Sequence, residues 1–120
     1  MGSLARLAPA LAFWALAVGP AAGHAVLLRA EPRVESKLKR APDEVRLYFT
    51  EQLEPAYSSV RVVDGRGQQV DRRDGGIDRT NPTLLRVTLP SLAPGTYRVL
   101  WRVLSIDADI TEGGFTFTIE

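Results

Sequence analysis

Apolar and polar residues alternate one by one along much of this 120-residue sequence, and this pattern limits the fold more than any other feature. In segment 44–50, Val45, Leu47 and Phe49 would share one face of an extended strand. Side chains of a β-strand point alternately to its two faces, so the pattern predicts half-buried strands. Similar alternation marks segments 58–64, 84–90, 96–105 and 114–120, with a shorter first strand at 24–30.

Turn-forming residues separate these predicted strands. Segments 64–67 and 74–76 contain Asp and Gly, which tolerate a positive φ, and segment 71–83 reads as one long polar loop. No window has a sustained helical period. Six or seven short strands joined by turns predict a single all-β domain, either a β-sandwich or a Greek-key barrel. We expect Trp101 and Phe117 to lie in its core rather than to stack on a ligand.

The first residues have the pattern of a cleaved signal peptide. Arg6 precedes an apolar run over 7–18, and Ala21 and Gly23 provide small residues before a cleavage site. The run is shorter than the roughly 20 apolar residues of a membrane-spanning helix, although a buried or anchoring helix is the alternative. We therefore predict a signal peptide at 1–23 and a mature domain at 24–120 with no membrane span. Cleavage after Ala21 instead would leave two residues ahead of His24.

Composition excludes several classes of function. The sequence has 15 basic and 14 acidic residues, and Arg6 is the one basic residue of the predicted leader. The mature chain is therefore balanced in charge, which argues against nucleic acid or an anionic membrane as a partner. There is no cysteine, so thiolate metal sites and thiol catalysis are excluded. Met1 is the single methionine, which excludes a thioether site for Cu(I) in the mature chain.

His24 is the single histidine, and cleavage after Gly23 would make it the N-terminal residue. A free α-amine and an imidazole both lose a proton near neutral pH, and together they form a chelate. Two nitrogens on one residue suit the tetragonal geometry of Cu(II). The alternative is an ordinary exposed terminal histidine.

Three carboxylates are further candidate ligands. Asp107 and Asp109 are two residues apart, so an extended backbone would let them share a cation, whereas a turn would make them ordinary loop acids. Glu51 ends the strand predicted at 44–50, where it could approach the amino terminus.

In their order and spacing these residues resemble the CopC family of periplasmic copper-resistance proteins. The similarity covers essentially the whole predicted mature chain. It includes a histidine after the leader, "EP" after the first strand and the pattern P-x-E-V-x-L-x-F-x-E. It also includes L-x-P-G-x-Y-x-V-x-W-x-V-x-S and the closing G-x-F-x-F.

The resemblance implies a cupredoxin-like, immunoglobulin-like Greek-key sandwich that binds one Cu(II) ion. The N-terminal histidine of the family corresponds to His24, and the aspartate of its Ser-x-Asp-Gly-His motif corresponds to Asp107. A family carboxylate near the metal corresponds to Glu51. The motif departs at two positions here, where Ala108 replaces the glycine and Asp109 replaces the second histidine.

The implied function is a soluble periplasmic Cu(II) carrier or buffer that serves copper homeostasis or resistance. An inner-membrane copper-transport protein is the expected partner. The alternative is an envelope protein of the same fold whose copper site is weakened or lost and which binds another protein. We do not expect an enzyme, because an oxidative histidine brace needs a second histidine and a serine–histidine pairing lacks support.

Overall fold

The computed structural model describes residues 24–120, so the predicted leader lies outside the described residues. This part of the chain forms eight β-strands and one short 3₁₀ helix, Pro55–Tyr57. The strands are β1 Leu27–Glu31, β2 Lys37–Leu38, β3 Glu44–Phe49, β4 Ser59–Val63, β5 Gly76–Asp78, β6 Asn81–Thr88, β7 Gly95–Leu104 and β8 Ile110–Ile119. No helix within residues 24–120 is long and apolar enough to cross a membrane.

The strands form two four-stranded sheets that face each other. The first sheet has the order β1-β3-β6-β5, and the second has the order β2-β8-β7-β4. The longest pairing joins β7 to β8, from Gly95 opposite Ile119 to Leu104 opposite Ile110. All pairings are antiparallel except that of β2 with β8. The prediction of an all-β sandwich is confirmed.

The core lies between the sheets and uses the alternating residues that the sequence pattern singled out. Val45, Leu47 and Phe49 of β3 are buried, and so are Val99 and Val103 of β7. Phe117 is fully buried and stacks on Tyr97 with ring centroids 5.6 Å apart, which confirms it as a core residue. Polar residues between these positions face solvent, as the alternation of a half-buried strand requires.

Trp101 is only partly buried, although it packs against the same core. Its ring meets Phe49 edge to face, with centroids 5.1 Å apart. The ring also lies over Gly113, directly across the β7–β8 pairing, where an added Cβ would come within 2.4 Å of an indole carbon. Glycine at 113 therefore leaves the space that the indole occupies.

The prediction of one long loop over 71–83 was wrong in its second half. Residues Gly76–Asp78 form β5, and β6 begins at Asn81, so a tight hairpin occupies this region. The Asp78 carboxylate accepts hydrogen bonds from the Thr80 N–H and hydroxyl, at 3.0 and 2.8 Å. A three-residue strand is too short to show alternation, and Asp and Gly favour the reading of a loop.

Charged side chains on the outer face of the first sheet form a continuous ladder of ion pairs. Glu44 lies between Arg46 and Arg86, at 3.3 and 3.5 Å. Arg46 also reaches Glu31 at 3.7 Å, and Arg86 reaches Asp78 at 3.5 Å. The arginines of this sheet therefore belong to a solvated face on which acidic and basic side chains are paired.

Candidate metal centre

The chain enters the sandwich where β3 ends and β8 begins. Ala25 is buried, with 1 % of its surface exposed. Its carbonyl accepts a hydrogen bond from the Thr111 hydroxyl at 3.1 Å. The Val26 N–H donates to Thr50 Oγ1 at 2.9 Å, and the Thr50 N–H donates to the Val26 carbonyl at 3.0 Å. Residue 25 therefore closes one end of the sandwich, between the two sheets.

His24 precedes this anchored segment and is exposed. Its carbonyl lies 3.5 Å from the Thr50 hydroxyl, which donates to it. In the uncut chain the nitrogen of His24 is a peptide amide, whose lone pair is delocalised into the carbonyl of Gly23, so it is a much weaker donor than an amine. The α-amine that would complete a chelate exists only after cleavage of the Gly23–His24 bond.

Residues 105–109 form a tight turn at the same end. The Ala108 N–H donates to the Ser105 carbonyl at 2.8 Å, and the Ser105 N–H donates to the Asp109 carbonyl at 3.0 Å. Ser105 is fully buried, and its hydroxyl accepts the Asp109 N–H at 3.3 Å. Asp107 is exposed and Asp109 is half-buried. The backbone is turned, so the extended arrangement in which the two carboxylates share a cation is not observed.

Glu51 lies beside this turn, half-buried. Its neighbour Gln52 accepts the Ile106 N–H at 3.1 Å, and Leu53 forms a β-bridge with Ser105. Backbone contacts thus join the segment after β3 to the turn between β7 and β8. We call this region, formed by His24, Thr50, Glu51, the 105–109 turn and Thr111, the His24 end.

The four predicted ligands are therefore carried by segments that meet at the His24 end, but their side chains are not gathered into a cluster. Within residues 24–120, no group of three or more His, Cys, Asp or Glu side chains is close enough to hold a metal ion. An α-amine is not a side chain, so a chelate formed by His24 alone is compatible with this finding.

Comparison with known proteins identifies the family of this chain and other structures with the same fold. The sequence model of the CopC domain matches residues 27–120. The chain belongs to the CopC family. The crystal structure of CopC from Methylosinus trichosporium OB3b superposes with a TM-score of 0.75 at 36% identity, covering 81% of this chain and 94% of that one. PcoC, a methionine-rich copper resistance protein from Escherichia coli, gives 0.72 at 26% identity, covering 81% and 99%.

Two curated relatives extend the comparison of this CopC domain. Protein YobA of Escherichia coli K12 is 30% identical over 98 residues, which cover 81% of this chain and 79% of YobA. The copper transport protein CutJ of Bacillus subtilis is 30% identical over 97 residues, covering 80% of this chain but only 18% of CutJ. The family is one of copper resistance and transport proteins, not of enzymes.

One departure from the family motif lies in the 105–109 turn of this CopC domain and affects its backbone. Ala108 has a φ of +70°, in the left-handed region that glycine occupies without steric cost. The motif glycine that the resemblance implies would stand at this position. Its replacement by alanine keeps the turn but places a Cβ in a disfavoured conformation.

Two residues that contact the N-terminal segment of this CopC domain were missed by the sequence analysis. Thr50 and Thr111 hold the backbone of residues 24–26 through their hydroxyl groups. Each is a threonine at a strand end, where the residue type is ordinary and the alternation pattern carries no signal. Only the register that brings β3 and β8 to one end reveals their role.

Proposed function

We propose that the protein is exported and binds one Cu(II) ion as a carrier or buffer in the periplasm. In this proposal, residues 1–23 are removed and His24 binds the metal through its α-amine and imidazole. Membership of the CopC family supports it. So do the backbone contacts by which the segments carrying His24, Glu51 and the 105–109 turn meet at one end of the sandwich.

The donor set determines which metal fits. An amine and an imidazole on one residue favour a tetragonal ion, and Cu(II) stands highest in the Irving–Williams order. Asp107, Asp109 and Glu51 add hard oxygen donors rather than a second imidazole. We expect weaker Cu(II) binding and less discrimination against Zn(II) than a site with two imidazoles would give. Binding also weakens as the pH falls, because protons compete for both nitrogens.

A carrier or buffer role needs no chemistry beyond binding and release of the ion. The one histidine of residues 24–120 is the proposed ligand, and these residues contain no cysteine. The related segment of CutJ is 18% of a copper transport protein, which supports an inner-membrane copper-transport protein as the partner.

The proposal is tested by titrating Cu(II) into the protein that starts at His24. After cleavage Trp101 is the only tryptophan, since Trp14 belongs to the leader. Trp101 meets Phe49 edge to face, and the strand of Phe49 leads to Thr50 at the His24 end. We expect its fluorescence to be quenched with saturation near one equivalent. Mass spectrometry of the exported protein establishes the mature terminus.

A matched control is the His24-start protein with its α-amine acetylated, which removes one nitrogen of the proposed chelate and leaves the imidazole in place. This form should lose the saturable response. Equal Cu(II) affinity of the two forms would overturn the proposed chelate.

A second candidate function is a protein-interaction module of the same fold with a weakened site. Exposed apolar side chains at the His24 end favour it, because Val26, Ile106 and Ile110 are 55%, 51% and 52% exposed. Exposed apolar groups of this kind mark contact sites more often when they cluster. If the His24 form binds no Cu(II) and its periplasmic partners are captured equally well by His24→Ala, this second function holds instead.

A further inference from the structure

We propose that Thr50 and Thr111 are positioning residues that clamp the backbone of residues 24–26 and so orient His24 for the metal. The inference rests on the proposed function only for the identity of the metal, Cu(II). The clamp itself consists of hydrogen bonds that involve no metal.

Thr50 contributes three hydrogen bonds from the end of the first sheet. Its hydroxyl oxygen accepts the Val26 N–H at 2.9 Å and donates to the His24 carbonyl at 3.5 Å. Its own N–H donates to the Val26 carbonyl at 3.0 Å. One residue therefore holds the peptide groups on both sides of Ala25.

Thr111 contributes one further hydrogen bond, from the second sheet. Its hydroxyl donates to the Ala25 carbonyl at 3.1 Å, and it is half-buried, which limits competition from water. The Ala25 methyl is buried between the two sheets. Attachment to both sheets prevents the segment from pivoting about either one.

These contacts all lie on the carboxyl side of the Gly23–His24 bond. They use the carbonyl of His24, the carbonyl of Ala25 and the N–H and carbonyl of Val26, and none uses the nitrogen of His24. Cleavage therefore leaves them in place while it frees the amine. With the His24 carbonyl fixed, the direction of the amine is restricted before the metal arrives.

This restriction has a measurable effect on affinity. Ordering the backbone of one residue costs about 1–2 kcal/mol, which corresponds to about a five- to thirtyfold change in an equilibrium constant. A terminus held before binding does not incur that cost when the ion binds. Loss of the clamp should therefore weaken Cu(II) binding by about this factor without removing a ligand.

The test uses the His24-start protein with Thr50→Val, Thr111→Val and both together. Valine keeps the shape of threonine and removes the hydroxyl. Cu(II) alone is titrated against a competing chelator, and the Cu(II) electron paramagnetic resonance spectrum is recorded. We expect the double variant to bind about five- to thirtyfold more weakly. Its spectrum should broaden as several coordination geometries become populated.

Controls separate positioning from stability. Thr50→Ser and Thr111→Ser keep the hydroxyl and should restore both affinity and spectrum. Thr118→Val removes a hydroxyl that pairs with Thr96 at 3.0 Å near the far end of β8, and should change neither. Parental affinity and an unbroadened spectrum in the double variant would overturn the clamp.

A metal-free readout distinguishes failure of the clamp from failure of the proposed function. Hydrogen exchange at the Val26 amide should accelerate in Thr50→Val, because that amide loses its acceptor, and stay at the parental rate in Thr118→Val. Unchanged exchange overturns the clamp even if copper binds. Accelerated exchange in a protein that binds no copper supports the clamp and refutes the copper function alone.

Discussion

In the proposed copper site, single residues at the His24 end determine how tightly the metal is bound. Asp109 stands where the family motif has a histidine, and Ala108 stands where it has a glycine. The first change alters a donor, and the second alters the backbone that carries it. The two effects can be separated by substitution, since one acts on affinity and the other on the unfolding free energy.

Asp109→His should tighten Cu(II) binding by about tenfold or more, roughly 1.4 kcal/mol, because it adds an imidazole to the donor set. Competition titration of the His24-start protein measures this change. His24→Ala should weaken binding most, and Asp107→Ala next. Unaltered affinity in Asp109→His would mean that residue 109 does not face the metal.

Ala108→Gly should raise the free energy of unfolding by up to about 1 kcal/mol, because glycine relieves the left-handed backbone at φ +70°. Urea denaturation measures the change. Ala41→Gly is the control, since Ala41 lies outside the left-handed residues of 24–120 and precedes Pro42. That substitution should destabilise the protein by a few tenths of a kcal/mol through the added freedom of the unfolded chain.

At the scale of elements, the exposed edge of β4 is covered by the segment that follows it. Asp71 is 8% exposed, and its carboxylate accepts the Val62 N–H at 2.7 Å and the Arg73 N–H at 2.8 Å. The Val70 N–H donates to the Val62 carbonyl at 2.8 Å. Both backbone groups of Val62 are thus satisfied, which protects the edge from pairing with another chain.

Asp71→Ala should lower the free energy of unfolding by about 1–3 kcal/mol, because it leaves the buried Val62 N–H without an acceptor. Asp64→Ala is a matched comparison, since Asp64 also accepts two backbone N–H groups but at an exposed loop where water can replace it. Chemical denaturation compares the two. A smaller loss for Asp71→Ala than for Asp64→Ala would contradict the edge role.

Elements with strong alternation were predictable, whereas those fixed by tertiary contacts were not. The strands β3, β4, β6 and β7 carry alternating apolar residues and were located from the sequence, whereas β8 was located only from Gly114, four residues after its start at Ile110. β5 is three residues long and depends on its pairing with β6, so its own sequence contains no pattern that predicts a strand. At the proposed site, His24 and Asp107 stay predictions that come from the motif. The threonines that hold the N-terminal segment depend on a strand register that sequence alone does not reveal.

Across the domain, carboxylates in hydrogen-bonded loops make the free energy of unfolding depend on pH. Hydrogen bonds from the Thr88 hydroxyl and N–H hold the pKa of Asp74 below its ordinary value. The Gln68 and Arg66 N–H groups do the same for the pKa of Asp64, and the Thr80 hydroxyl and N–H do so for the pKa of Asp78. All three are therefore ionised in the fold at a pH where the unfolded chain begins to take up protons.

The contribution of these three carboxylates to the free energy of unfolding should be present above about pH 4 and decline as the pH falls further. A lowered carboxyl pKa favours the folded state only while the group is ionised. Urea midpoints measured between pH 7 and pH 2.5 test this. Asp74→Asn should reduce the drop between these limits. An increase in the midpoint below pH 4 would contradict the assignment.

The long β7–β8 pairing also sets the distance between the two ends of the domain. β8 begins beside Thr111 at the His24 end and runs ten residues to Ile119, next to Glu120. At about 3.3 Å per residue, the strand separates them by roughly 30 Å. A tether attached at Glu120 would therefore hold the domain with His24 pointing away from the anchor. Immobilisation through residue 120 leaves the metal-binding end open to a visiting partner, whereas a tag on the amine would block it.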